Sequence, residues 1–382
     1  MSAAAWLGRT GLGGTSWGRR GTTMSATHEP RPHAVTRERQ RSRPRRGAFV
    51  RRHKAMIIMF LLLLAPLAGL SVWAYYLETQ IDAIPRFEMT LDRPDRPAAP
   101  GGKAQTFLFV GVDSAQAGGS FRNTMQQVEW PIGSFRSDVI MVVHLAADRR
   151  HVQVVSLPRD SWVPIPGHGH GKINAAFSLG GPELLARTVE DVTGAYVDHV
   201  VVIDYAGFEE VSRIVDGVPV YLARPESLAG RMHPEGWNDL RGREALDYVR
   251  QRYDLPGGDF ERVHRQQDFL RGLLERLGDV APRDPVTGTR LAGQLSRLVA
   301  VDADLTTGTI RSLAWDLRHL QGEDVRFFTA PTSGLGREGA ASVVRLDTAA
   351  TRELFRDIRK GTFRKWEHEQ DLQAARDEDA LP

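Results

Sequence analysis

The stretch TFLFVGV, residues 106–112, is an almost continuous apolar run. Runs of this kind are typical of strands that are buried on both faces of a sheet. DVIMVVHL (138–145) and HVQVVSL (151–157) follow, joined by the short turn AADRR, and they predict a β-hairpin or adjacent strands. HVVVID (199–204) and RFFTA (326–330) are further predicted strands. A sheet with several buried strands is therefore the expected centre of the fold.

Helical segments alternate with these strands. The apolar residues of 181–194 recur at helical spacing, and 260–278 is a longer amphipathic stretch. Shorter helices are predicted over 206–216 and 242–252, and a closing helix over 346–360. Strands that alternate with helices predict the α/β class, in which helices cover a sheet.

A charge-free segment precedes the predicted domain. Residues 55–77, AMIIMFLLLLAPLAGLSVWAYYL, would span about 34 Å as a helix, against about 30 Å for the hydrocarbon core of a membrane. Amphipathic rings favour the membrane interface, and they crowd its carboxyl end: Trp73, Tyr75 and Tyr76. Arg51, Arg52 and Lys54 flank its amino end. The positive-inside rule predicts one transmembrane helix with a cytoplasmic N-terminus and everything after it outside the cell.

The first 54 residues are strongly basic. They contain thirteen arginines and lysines and two acidic residues, a net charge of +11, and the rest therefore carries −8 because the whole chain carries +3. Without hydrophobic periodicity they are predicted to be a disordered tail. A basic run can bind nucleic acid, but a membrane span follows at once. We therefore favour a lipid-facing cytoplasmic tail over a nucleic-acid partner. A cleaved signal peptide is the weaker alternative, because the basic region is long and no small-x-small site follows the apolar run.

The remainder divides into a linker, a domain and a tail. Residues 78–104 contain the string RPDRPAAPGG (93–102), and proline and glycine at this density predict a linker. The extracytoplasmic domain is predicted over 105–365 and a charged C-terminal tail over 366–382. The chain has no cysteine, which excludes a disulfide framework, a thiolate zinc site, an iron–sulfur cluster and a cysteine nucleophile.

Common catalytic motifs are missing from the sequence. It contains neither G-x-S-x-G nor H-E-x-x-H. GHGHGK (167–172) resembles a phosphate loop, but its glycine spacing is wrong and Ile173 replaces the required serine or threonine. His168 and His170 could bind a metal ion; we favour an exposed glycine-rich loop.

Acids and arginines at strand ends carry the chemistry. Asp113 ends the first strand, Arg136 and Asp138 open the second, and Arg159 with Asp160 follows the third. In open α/β sheets ligands bind at strand ends, and converging carboxylates can hold a divalent cation. Singly, each aspartate is more often a cap or a turn residue.

A second cluster lies in YVRQRYDLPGGDFERVHRQQ, residues 248–267. Its charged members include Arg250, Arg252, Asp254, Asp259, Arg262 and Arg265. Arg262 and Arg265 share a helix face at spacing i, i+3, and guanidinium forks bind phosphate oxygens bidentately. The alternative is a salt-bridged helix surface. In a domain of net charge −8 we favour a pyrophosphate site.

At this point the chain resembles the LytR-CpsA-Psr family. The resemblance covers 106–275 and rests on six strings in the same order and spacing: FLFVGVDS, FRSDVIMVVHL, VVSLPRDSWVPI, GKINAAFSLGGPELLARTVEDVTG, HVVVIDYAGFEEVSRIVDGV and EALDYVRQRYDLPGGDFERVHRQQ. It implies a three-layer α/β/α sandwich with a central mixed sheet and an apolar tunnel for a polyprenyl chain.

The resemblance also implies site roles. The aspartates that match Asp113 and Asp138 hold Mg²⁺ in family members, and Mn²⁺ is a possible substitute. The expected pyrophosphate contacts are Arg136, Arg159, Lys172, Asn174, Arg250, Arg252, Arg262, Arg265 and Gln266. The expected catalytic residues are Asp138, Arg136, Arg159, Arg252 and Asp259, with Asp138 as first and Asp259 as second candidate for the general base. Glu261 departs from the family, which often has glycine there, and the loop 115–134 is long.

The implied reaction moves a phosphoglycan from a polyprenyl-pyrophosphate carrier to a hydroxyl of peptidoglycan. Such an enzyme stays at the cell membrane, since its carrier is a lipid. Two alternatives remain open: a metal-dependent pyrophosphatase that releases the head group to water, and a non-enzymatic wall-binding or regulatory protein. The glycan itself is open among teichoic acid, capsule and arabinogalactan.

Overall fold

A central sheet organises the part of the chain that the computed structural model describes, namely residues 64, 68–114, 120–127, 129–251, 259–280 and 285–368. The strands are, in chain order, β1 (Arg86–Phe87), β2 (Gln105–Val112), β3 (Ser137–Leu145), β4 (Val152–Ser156), β5 (Trp162–Ile165), β6 (Gly169–Lys172), β7 (His199–Asp204), β8 (Val218–Leu222), β9 (Glu226–Leu228), β10 (Arg231–His233), β11 (Gly236–Leu240), β12 (Val299–Asp302), β13 (Val325–Thr329), β14 (Thr332–Glu338) and β15 (Ala341–Leu346).

The helices pack around this sheet. Residues 68–82 are helical and are called α1 here. The others are α2 (Phe121–Met125), α3 (Ile173–Thr193), α4 (Tyr205–Ile214), α5 (Arg243–Arg250), α6 (Asp259–Val280), α7 (Pro285–Leu298), α8 (Thr307–Asp316) and α9 (Thr348–Lys360).

Seven strands form the central sheet in the order β1-β12-β7-β2-β3-β4-β13. β2 pairs antiparallel with β3 and parallel with β7, while β3 and β4 are antiparallel neighbours, as the sequence predicts. β4 and β13 pair in parallel. The sheet is therefore mixed, and its four longest apolar runs lie side by side, where both faces are covered.

Each face of the sheet has its own core. Leu108, Val110 and Val142 pack with the buried side chains of α3 and α9, whereas Phe107 and Met141 pack with those of α4 to α7. Side chains of a strand alternate between its two faces, so one apolar run fills both cores. The predicted α/β class with a central mixed sheet is confirmed, and helices cover both faces.

Residues 78–104 differ from the linker prediction. β1 pairs in parallel with β12 at the edge of the central sheet, and Phe87 and Leu91 are buried in the core. Arg93 and Arg96 contact the buried carboxylate of Glu190 at 3.3 and 2.9 Å. Local proline and glycine content does not reveal these contacts, because their partners lie about a hundred or more residues away in sequence.

Two further predictions differ in detail from the structure. The predicted helix 181–194 begins earlier, at Ile173, and is interrupted at Gly180 and Gly181; Gly181 has a φ of +66°. The GHGHGK segment forms strand β6 of a hairpin with β5, although His168 and His170 are exposed as expected. The short strands β8 to β11, β14 and β15 were not predicted, because they lack long apolar runs.

The predicted membrane span over 55–77 lies largely outside the described residues, as do the tail over 1–54 and most of 366–382. Residues 68–77 belong to α1. No helix within the described part of the chain has the length and the apolar character needed to cross a membrane.

Helix α6 lies against β8 at a glycine, which gives the first prediction. A Cβ atom at Gly272 would stand 2.1 Å from the carbonyl oxygen of Pro219, whereas one at Gly278 of the same helix would meet nothing within 4 Å. Gly272→Ala should therefore lower the free energy of unfolding by about 1–3 kcal/mol, because backbone must move. Gly278→Ala should be neutral or stabilise, since alanine favours helix. Chemical denaturation of both variants tests this, and equal effects would contradict the close approach.

Candidate active site at the sheet edge

Four strand ends meet at one edge of the sheet. β2, β4 and β7 run in the same direction, so their carboxyl ends lie beside the amino end of the antiparallel strand β3. Asp113 follows β2, Asp138 lies at the start of β3, Arg159 follows β4 and Tyr205 follows β7. This is the edge at which open α/β sheets bind ligands.

A β-bulge places the two predicted metal ligands close together in the sheet. Gly111 pairs with Val139, but the next residue, Val112, pairs with Ser137. Asp138 is therefore the extra residue of the bulge, next to the strand end that leads into Asp113. Bulges re-aim side chains and are frequent beside active sites.

Asp138 and Arg159 form an ion pair across β3 and the end of β4. Arg159 also lies 3.9 Å from Asp160, and the Nζ atom of Lys172 lies 2.9 Å from the other oxygen of Asp160. The backbone N–H of Asn174 donates to the carbonyl oxygen of Arg159 at 3.2 Å. Lys172 and Asn174, both predicted here, therefore hold the loop that carries Arg159.

Asp113 pairs with an arginine from the second predicted cluster. Its carboxylate lies 2.6 Å from the guanidinium of Arg250, at the end of α5. That guanidinium also stacks over the ring of Tyr205, 4.6 Å from its centre. The structure thus brings the first and second clusters of the sequence together around Tyr205.

Arg262 carries the most unusual charge of this site. Its side chain projects from α6, and the residue is only 4% exposed. The pKa of Arg262 is lowered to about 10, mainly by burial and then by the neighbouring charge of Arg159. Asp138 and Asp160 act in the opposite direction. A buried guanidinium beside a second one favours an anion between them.

Tyr205 shows that these charges share one locus. Burial raises the pKa of its hydroxyl, and so does the charge of Asp138. Arg262, Arg250 and Arg159 all act on the same hydroxyl and lower its pKa.

Arg265, a predicted pyrophosphate contact, pairs with a carboxylate in this structure. Its two terminal nitrogens donate to the two carboxylate oxygens of Glu226 at 2.7 and 3.0 Å, and it stacks over Tyr248. Burial acts to lower the pKa of Arg265, but Glu226 outweighs it and the pKa is raised. Gln266 donates to the carbonyl oxygen of Val249 at 3.3 Å.

The remaining predicted residues are exposed or lie outside the described part. Arg136 is exposed and makes no ion pair with the residues that the structure describes. Arg252 lies outside the described residues, and so does the side chain of Asp259, the first residue of α6.

The sequence-based prediction missed Tyr205 and Glu226. Tyr205 directly follows a predicted buried strand, the same signal that identified Asp113, and could have been found by it. Glu226 lies 39 residues from Arg265 in a short strand, and no local signal connects the two.

The two carboxylates at the sheet edge are of the kind that a magnesium ion takes as ligands. Asp113 and Asp138 supply hard carboxylate oxygens at the sheet edge, each with an arginine beside it. The described residues contain no group of three or more histidines and acids that could hold a metal ion on their own. Mg²⁺ commonly uses one or two carboxylates and completes its shell with substrate phosphates and water.

Comparison with known proteins gives both family and fold. The sequence pattern of the LytR_cpsA_psr family matches residues 87–360. The cell wall biosynthesis protein LcpA of Corynebacterium glutamicum is 31% identical over 292 residues, which are 66% of this chain and 55% of LcpA. This chain spans about half the length of the curated relatives that it matches.

Solved structures share the fold. TagT bound to LI-WTA superposes with a TM-score of 0.54 at 23% identity, covering 72% of this chain and 97% of that chain. A LytR-Csp2A-Psr enzyme from Actinomyces oris gives 0.55 at 19% identity, with 72% and 94% covered. Because the family pattern spans most of the chain, including Asp113, Asp138, Arg159 and Arg262, this protein belongs to the LytR-CpsA-Psr family.

Proposed function

We propose that this protein transfers a phosphoglycan from a polyprenyl-pyrophosphate carrier to a hydroxyl of peptidoglycan. The observation that carries the proposal is the pair of arginines, Arg159 and Arg262, that burial and the sheet edge hold beside Asp138. The names of two relatives support it: LcpA is a cell wall biosynthesis protein, and TagT was solved with LI-WTA.

The arginines would bind the pyrophosphate. Phosphoryl transfer depends more on positioning and on charge neutralisation than on covalent chemistry of the protein. Forks from Arg159, Arg250 and Arg262 can each bind two phosphate oxygens. The acceptor oxygen attacks the phosphorus that bears the glycan, the bond to the bridging oxygen breaks, and polyprenyl phosphate leaves with the electron pair.

The acceptor proton needs a base. Asp138 is the first candidate because Arg159 orients its carboxylate at the site, and Asp259 is the second.

Asp113 and Asp138 would hold Mg²⁺, or Mn²⁺ in its place. When bound, the ion neutralises phosphate charge. Arg252 is proposed as a further phosphate contact.

Two other functions use the same residues. A pyrophosphatase would pass the phosphoglycan to water, and a wall-binding or regulatory protein would bind it without turnover. Purified full-length chain, a short-chain polyprenyl-pyrophosphate glycan and peptidoglycan fragments separate the three. Mass spectrometry should find the glycan phosphate on peptidoglycan. Free glycan phosphate with acceptor present would favour hydrolysis, and unchanged substrate would favour binding alone.

The metal and base roles give a prediction for Asp138. Asp138→Asn should lower the transfer rate by about 100-fold or more, the range lost when a general base is removed. The fold should remain, because the residue lies at the edge of the sheet. Asp148→Asn is the matched control, since Asp148 is exposed in the turn at the other end of β3.

The same assay tests magnesium. Excess chelator should stop transfer by wild-type protein, and added Mg²⁺ should restore it. Full activity in chelator, with the far-ultraviolet circular dichroism unchanged, would refute the metal role while leaving the arginine site intact.

Arg262 and Arg265 lie one turn apart on α6 and allow a paired prediction. Arg262→Lys keeps the charge but loses the fork, so the transfer rate should fall about ten- to a hundredfold. Arg265→Lys should mainly lower the free energy of unfolding, by about 1.5–3 kcal/mol, because it breaks the paired contact with Glu226. Rates and denaturation curves are measured on both. Equal rate losses with unchanged stability would assign both arginines to the substrate.

The membrane proposal has its own test. The charge-free segment 55–77 and its basic flank should anchor the chain with residues 78–382 outside the cell. A reporter that is active only in the cytoplasm, fused after Pro382, should be silent, and the same reporter fused before residue 55 should be active. Strong activity of the C-terminal fusion would reverse the orientation and exclude a wall substrate.

A further inference from the structure

A second cavity lies between three helices and shares no residue with the site at the sheet edge. It has a volume of about 560 Å³, within the usual range of small-ligand sites. Tyr76 and Gln80 of α1 form one wall, and α4 and α7 form the others. Its charged lining residues are Glu210, Arg213, Arg290 and Arg297.

The charge of this cavity is positive. Arg213 already pairs with Glu209 and Glu210, at 2.8 and 3.2 Å. Arg290 and Arg297 make no ion pair with any residue that the structure describes. Glu210 is the single carboxylate among the described lining residues, and it is occupied by Arg213. Two cations that have no ion-pair partner among the described residues therefore face a space that can admit an anion.

The cavity also lies beside an apolar, aromatic surface. Tyr75 and Tyr76 of α1 are 69% and 46% exposed, and Val286 at the start of α7 is 59% exposed. Leu70 and Val72 of α1 are exposed as well. Tyrosine rings beside exposed aliphatic side chains are typical of the interface between a membrane and water.

Helix α1 is fixed to the wall of the cavity. The indole Nε1–H of Trp73 donates to Thr289 Oγ1 of α7 at 2.8 Å. Gln80 and Tyr76 of α1 lie close to Gly293 of α7. The helix that would leave the membrane therefore lies against α7, the helix that carries Arg290 and Arg297.

We propose that this cavity binds the phosphate group of an anionic phospholipid, which Arg290 and Arg297 contact, and so orients the domain on the membrane. The inference rests on the membrane anchorage in the proposed function. It concerns a bulk lipid and not the polyprenyl carrier, because the cavity shares no residue with the Asp113–Asp138 site.

In the test, dihexanoyl phosphatidylglycerol is titrated into the full-length chain in non-ionic detergent. Isothermal titration calorimetry measures the binding. The lipid should bind saturably. Dihexanoyl phosphatidylcholine, with the same chains and no net charge, should bind at least about tenfold more weakly, as should inorganic phosphate. Equal binding of the two lipids, or phosphate binding as tight as that of phosphatidylglycerol, would overturn the proposal.

Variants locate the site. Arg290→Ala/Arg297→Ala should weaken phosphatidylglycerol binding by about tenfold or more, since charge-assisted contacts are lost. Glu210→Gln should strengthen it, because a competing negative charge is removed. Arg150→Ala/Arg364→Ala is the matched control: it removes the same charge at exposed arginines that do not line the cavity, and binding should not change. If the control variant lost binding by the same factor, the lipid would be attracted only by the overall positive charge and not by this cavity.

Catalysis is separated from lipid binding by two variants. Asp138→Asn should bind phosphatidylglycerol as wild type does, and Arg290→Ala/Arg297→Ala should keep its transfer rate on a short-chain substrate in detergent. Absent transfer with normal phospholipid binding would refute the proposed function alone. Normal transfer with no phospholipid binding would refute only the cavity.

Discussion

Buried positive charge at the edge of the sheet is the constraint on which the site depends. Arg262 is nearly inaccessible to water, and both burial and Arg159 disfavour its charge. Such an arrangement persists because Asp138 and Asp160, carried by neighbouring strand ends, act against the repulsion. The sheet edge therefore holds carboxylates beside guanidinium groups. A pyrophosphate that enters between them would meet groups already oriented, without the reorganisation that flexible surface residues require.

The position of Arg262 depends on the position of helix α6. Other polar residues of α6 hold the helix in place. Arg265 binds Glu226 with both nitrogens, and Gln267 donates to Ser156 Oγ and to the carbonyl oxygen of Phe328, each at 3.0 Å. These contacts tie the helix to β9, β4 and β13. One turn earlier, Arg262 is thereby placed at the sheet edge. A helix face with two arginines thus divides into one that anchors and one that faces the site.

Helix α4 connects the two sites described above. Its first residue, Tyr205, lies among the arginines of the sheet edge, and Glu210 and Arg213 near its other end line the cavity at α1. Ten helical residues span about 15 Å. The proposed contact with membrane lipid is therefore about one short helix from the proposed chemistry. This spacing suits an enzyme whose substrate is itself anchored in the membrane.

The sequence by itself determined the α/β class, the order of the main strands and the position of Asp113, Asp138 and Arg159 at strand ends. These are local properties: an apolar run makes a buried strand, and the polar residue that ends it lies at an edge. Only the tertiary structure decided that Arg265 binds Glu226, that Arg250 stacks on Tyr205, and that residues 78–104 join the domain. Each of these contacts depends on which distant polar group is buried in the same place. Burial removes water as an alternative partner, so tertiary packing, and not the neighbouring residues in the chain, decides which groups pair.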